Sequence, residues 1–152
     1  MKKNAARKKA YKVVDLICYN RDNIRKAVCE ARLDPHNERT GCNSGAHIND
    51  PTANKALADI QPLPKIVLAC GTIVKKPELW LNIIDYVYNQ CLCEIEQKVF
   101  DKRWAEKTDP VATTVNLYIE RATYYNIVHE IKTCIVELGC QKGLLNVFEG
   151  KI

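Results

Sequence analysis

From Arg121 onward, Tyr124, Ile127, Val128, Ile131, Ile135 and Leu138 recur at steps of three, four, seven, eleven and fourteen residues. At 3.6 residues per turn, this spacing puts six large apolar side chains on one face of a single helix. A stripe of that length has to be buried, so the rest of the chain must supply partners for it. The sequence offers mostly helical ones.

Residues 5–33 read as one helix. Val14, Ile17, Cys18, Arg21, Ile24, Arg25 and Val28 form a mostly apolar stripe beside a basic face. Asp34-Pro35 ends it, because proline disfavours helix in the residue before it. Residues 34–52 hold two glycines, two prolines and many short polar side chains, which predicts a long loop or flexible linker. Asp50 or Thr52 can cap a short helix over 53–59, with Pro51 near its first turn. Two β-branched runs, Ile66 to Leu68 and Thr72 to Val74, flank Ala69-Cys70-Gly71 and predict a small hairpin. Pro77 suits the first turn of the next helix, whose stripe is Trp80, Ile83, Ile84, Val87 and Cys91. That pattern continues through Ile95, Val99 and Trp104. Thr108 or Asp109 then serves as N-cap, with Pro110 at the first position of a short helix ending near Leu117.

The expected organisation is a basic N-terminal helix over 1–33 and a linker over 34–52. A short helix and hairpin follow over 53–76, then a helical domain over 77–152.

Charge is unevenly spread. Residues 1–33 carry ten basic and three acidic side chains, a net of +7, against −2 for the remaining chain. A basic terminal segment of this kind meets a phosphate backbone or an anionic surface, or simply keeps a helix face solvated. No apolar run approaches the roughly 20 residues of a membrane-spanning helix. No apolar stretch or cleavage site follows the basic N-terminus, so a cytoplasmic protein is expected. The eight cysteines are then expected to be reduced, and most to act as small buried hydrophobes. Their spacing fits no zinc pattern: Cys91 and Cys93 point apart on a helix, as do His129 and Cys134. No glycine-rich phosphate loop, HExxH motif or nucleophile setting is present, so neither enzymatic activity nor a cofactor is expected.

The stretch PVATTVNLYIERATYYNIVHEI reads as a short helix, a three-residue turn and a long helix, the helix-turn-helix pattern. Val111, Ala112, Val115 and Leu117 are expected to pack the short helix against the long one, as Ile127, Val128 and Ile131 do from the other side. Trp80 and Ile84 join that core. On the open face of the long helix stand Arg121, Tyr125, Asn126 and His129, candidates for reading base edges. Arginine can pair with guanine and asparagine with adenine through two hydrogen bonds each. Thr113, Thr114, Lys102, Arg103 and the N-terminal Lys8, Lys9 and Lys12 are candidates for phosphate contacts. An ordinary helical hairpin with a solvated face gives the same pattern.

The segment from Glu94 to Ile131, EIEQKVFDKRWAEKTDPVATTVNLYIERATYYNIVHEI, resembles region 4 of sigma-70-type factors. The chain as a whole resembles phage transcriptional regulators of the RinA and ArpU kind, through NDPTANKA, IVLACGTIVKKPELWLNIID, IERATYYNI and GLLNVF. The resemblance implies a mostly α protein with a small β-hairpin and a C-terminal sigma-region-4-like helix-turn-helix. It also implies double-stranded promoter DNA as the ligand, regulation of phage or prophage late genes, and no catalysis. RNA polymerase and a second copy of the chain are further expected partners. The sequence departs from that pattern at three places: Glu120 stands where serine is common, Tyr118 where glycine is common, and Asn126 where arginine is frequent. Residues 85–152 also hold eight basic and ten acidic side chains, a weak electrostatic footprint for DNA. Two other readings share the same helices. One is a DNA-packaging protein like a small terminase subunit; the other is a module that docks on RNA polymerase.

Overall fold

The computed structural model describes residues 2–33 and 61–145, the side chains of 2–4 excepted. The protein is mostly helical with one two-stranded antiparallel hairpin, as the sequence predicts. The expected linker over 34–52 and short helix over 53–59 lie outside the described residues. The chain forms two compact units, Met1–Asp22 with Leu79–Ile152, and Asn23–Glu78.

The N-terminal helical pattern is not continuous. Helix α1 spans Lys2–Tyr19 and helix α2 spans Arg21–Leu33. Between them, the Asn20 side-chain amide donates to the Leu16 carbonyl at 2.9 Å, and the Asn20 backbone N–H donates to the same oxygen at 3.1 Å. The backbone bond is the ordinary i to i−4 bond of a helix, and the side chain adds a second donor to the same carbonyl. The stripe expected of one helix is nevertheless buried on two: Val14, Ile17 and Cys18 on α1, Ile24 and Val28 on α2.

In the Asn23–Glu78 unit, strands β1 (Lys65–Val67) and β2 (Ile73–Lys75) pair in the register Lys65 with Lys75, Ile66 with Val74 and Val67 with Ile73. Ile66 and Val74 point inward and are buried. Gly71 takes φ 83°, and its N–H donates to the Leu68 carbonyl at 2.8 Å to close the turn. That backbone region is open to glycine without steric cost. Glu78 anchors the return of the chain: its carboxylate accepts from the Leu63 N–H at 2.9 Å and pairs with Arg32.

The other unit holds most of the buried hydrophobic residues. Helix α3 (Pro77–Tyr86) begins at the unit boundary and runs into a π-helical turn, Val87–Cys91, closed by Leu92 N–H to Val87 O at 3.1 Å. Helix α4 (Glu94–Phe100) starts with a capping box, in which the Glu96 carboxylate accepts from the Cys93 N–H at 2.8 Å. A second π-helical turn, Asp101–Ala105, extends α4 and drives Trp104 into the interior. Helix α5 spans Pro110–Leu117, with Asp109 as N-cap accepting from the Val111 N–H and Pro110 in the first turn. Helix α6, Arg121–Gln141, buries Tyr124, Ile127, Val128, Ile131 and Ile135. Helices α1, α4 and α5 all pack on it.

Candidate nucleic-acid interface

The turn between α5 and α6 is three residues, Tyr118, Ile119 and Glu120. Tyr118 adopts a left-handed conformation, φ 53° and ψ 43°. The N–H of Ile119 donates to Thr114 O at 3.1 Å, and that of Tyr118 to Val115 O at 3.3 Å. These are the two bonds of a Schellman motif, usually built on glycine because an L side chain is strained there. Glu120 is the N-cap of α6 in extended geometry, and its side chain makes no capping hydrogen bond.

At 100° per residue, buried Tyr124, Ile127, Val128, Ile131 and Ile135 span an arc of about 100°, and Arg121, Tyr125, Asn126 and His129 fall within a neighbouring arc of about 140° that Val136 and Gly139, further along the helix, share as buried positions. All four are exposed. Arg121 lies over the Tyr125 ring at 5.8 Å, and Tyr125 meets buried Tyr124 edge to face at 5.2 Å. The first two turns of α6 therefore present a guanidinium stacked on a phenol, with Asn126 about 100° further round the helix from Tyr125. His129 stands apart from these three. Its ring stacks on Tyr11 of α1 at 5.4 Å, and the Tyr11 hydroxyl is 2.8 Å from Thr133 Oγ1. Helix α1 thus occupies the same side of α6 from His129 onward, and only Arg121, Tyr125 and Asn126 remain on the open part. No spacing rule in the sequence places α1 there.

Two expected phosphate contacts are corrected. Thr113 is 0% exposed, and its hydroxyl donates to the Asp109 carbonyl at 3.0 Å, so it belongs to the core. Arg103 also faces inward: its guanidinium donates to the Tyr124 hydroxyl at 3.1 Å, lies 3.7 Å from the Asp15 carboxylate and covers the rings of Tyr19 and Trp104. Thr114 is half-buried, its hydroxyl donating to Val111 O at 2.8 Å, and Lys102 is paired with Glu106 at 2.6 Å. Lys8, Lys9 and Lys12 are exposed on α1.

The face of α5 is also reversed. Its buried side is Thr113, while Val111, Ala112 and Val115 face outward, Val115 at 66% exposure, and Leu117 is half-buried. Val111, Val115 and Tyr118 follow each other at helical spacing, and Tyr118 is 95% exposed. The expectation that three valine and alanine side chains pack on α6 fails because a β-branched threonine can be buried in a helix once its hydroxyl bonds to the preceding turn. This apolar strip was not visible as a surface in the sequence.

Among the described residues, no three His, Cys, Asp or Glu side chains converge to hold a metal ion, and no helix is long and apolar enough to cross a membrane. The seven described cysteines are free thiols. The chain matches no known family model, no curated protein and no solved structure.

Proposed function

We propose that this protein binds double-stranded DNA in a sequence-dependent way through α5 and α6, and acts as a regulator of transcription. The observation that carries the reading is the Schellman turn at Tyr118. It delivers α6 with Arg121, Tyr125 and Asn126 outward on its first two turns, the part of a recognition helix that reaches base edges. Arg121 and Asn126 supply the donors and acceptors for guanine and adenine. The exposed lysines of α1 add positive charge to a unit whose C-terminal portion is slightly acidic, and so provide for phosphate contact. The resemblance to phage regulators adds late-gene promoters of a phage or prophage as the DNA.

Selection of bound duplexes from a random-sequence pool tests this. The reading expects enrichment of a defined site; a pool that stays random after repeated rounds at low salt would rule it out.

The strip Val111, Val115 and Tyr118 favours a second reading, a module that docks on a protein such as RNA polymerase. Exposed apolar strips of this kind mark partner surfaces more often than DNA contacts. The two readings separate on Val115→Ser, which adds no charge: it weakens docking but leaves the selected duplex bound.

A further inference from the structure

The hairpin carries charge that no acidic side chain of its own strands or turn balances. Residues 61–77 contain three lysines, Lys65, Lys75 and Lys76, and no acidic side chain. The register sets Lys65 directly opposite Lys75. Residues paired across two strands have Cβ atoms about 5 Å apart, and like charges so placed repel. Both side chains are exposed, and no ion pair is formed by either among the described residues. Lys76 follows at φ 49°, a left-handed conformation that an L residue rarely adopts, held by its N–H donating to Pro64 O at 2.9 Å. Strained backbone of this sort clusters where a side chain must be aimed.

Alternation along the strands puts Val67 and Ile73 on the same face as Lys65 and Lys75. They are 60% and 58% exposed, while Ile66 and Val74 hold the hairpin in place from the other side. The outward face is therefore a two-by-two patch, two lysines at its open end and two aliphatic side chains toward the turn, with a third lysine at its margin.

We propose that this face is a second phosphate-binding element, on which Lys65, Lys75 and Lys76 contact the backbone of duplex DNA. This rests on the DNA-binding reading above. A polyanion relieves the repulsion between Lys65 and Lys75, because adjacent phosphates offer each amine its own partner. Two aliphatic side chains are too little apolar surface to anchor a protein to a bilayer, but they suffice to lie against sugar edges.

The test is the salt dependence of binding to a short duplex bearing the selected site, for the full chain and for Lys65→Gln/Lys75→Gln/Lys76→Gln. Each phosphate contact contributes roughly 0.9 to the slope of log K against log salt, so the variant's slope is expected to fall by about 2 to 3. Its melting temperature should hold or rise, since like charges have been removed. An unchanged slope overturns the proposal. With an unchanged slope, self-association of the variant would show that the lysines only guard the strand edges, and loss of binding to phosphatidylserine vesicles would show that the face meets a membrane surface. Failure of the wild-type chain to bind any duplex would overturn the DNA reading itself; slope retention in a chain that still needs Arg121 and Asn126 would overturn the hairpin's part alone.

Discussion

Trp104 Nε1 donates to Asp15 Oδ1 at 3.2 Å, and Oδ2 of the same carboxylate pairs with Lys132. With Arg103 also 3.7 Å away, Asp15 ties α1 to both the π-helical turn after α4 and the middle of α6. Asp15→Asn removes the charge but keeps the shape. It leaves Lys132 and Arg103, both mostly buried, without their counter-ion. The expected loss is ~2 kcal/mol, less than for a fully buried pair because the carboxylate is about a quarter exposed. For a chain of this size that is a fall in melting temperature of about 4–8 °C, measured by thermal unfolding.

Cys18 gives the fold an alkaline limit. Burial first, and the nearby Asp15 charge second, push its thiol from the ordinary 9.0 up to about 12. The unfolded chain gives up this proton near 9, and the folded chain holds it, so the unfolded state binds fewer protons between those values. Stability from this group is complete below pH 9 and lost as pH rises toward 12, at a limiting rate of about 1.4 kcal/mol per pH unit. Denaturant midpoints measured across that range should fall more steeply for the wild type than for Cys18→Ala. Parallel curves would mean the thiol is not held protonated.

Tyr118→Gly should stabilise the fold. The side chain is almost fully exposed, so little packing is lost, and glycine removes the strain of a positive φ. The gain is expected to be ~0.5–1 kcal/mol, the cost of left-handed geometry less the extra entropy of an unfolded glycine. If the apolar strip of α5 meets a protein partner, the same variant binds that partner less well while melting higher.

The helices of this fold were legible because their burial follows simple periodicity. The α6 stripe from Tyr124 to Ile135 is buried as spaced, and Asp109-Pro110 starts α5 where capping chemistry puts it. The hairpin itself was legible from two β-branched runs around Gly71, and its strands lie within one residue of those runs. What was illegible depends on tertiary choice. The N-terminal helix breaks at Asn20, inside an apolar stripe that continues on both sides of it, and nothing in the spacing demands that break. The inner face of α5 is decided by Thr113, since with valines at 111 and 115 and threonines at 113 and 114 hydrophobicity points to the wrong side. Arg103 reads as a surface cation until Asp15, Tyr124 and Tyr19 close around it, and those partners come from distant parts of the chain.

Gly139 marks a close approach within the core. A Cβ there would stand 3.1 Å from Leu145 Cδ1 and 3.4 Å from Trp80 Cη2. Gly139→Ala gains helix propensity of about 1 kcal/mol, set against a small shift of the Leu145 side-chain end, so the net change should lie near zero. Gly139→Leu cannot be accommodated by that shift and should cost ~2 kcal/mol through displacement of Trp80. Chemical denaturation of both variants checks the contrast, and equal stabilities would show that this side of α6 is open.

The most direct test of the central claim is duplex binding by the full chain across a salt series, beside Arg121→Ala/Asn126→Ala. The wild type should bind the selected site more tightly than a scrambled duplex. The double variant should lose about 2–6 kcal/mol of that discrimination, while the salt slope stays the same because neither residue is assigned to a phosphate. Equal discrimination by the two proteins would contradict the assignment of α6 as a reading helix and leave Val111, Val115 and Tyr118 as the surface to pursue.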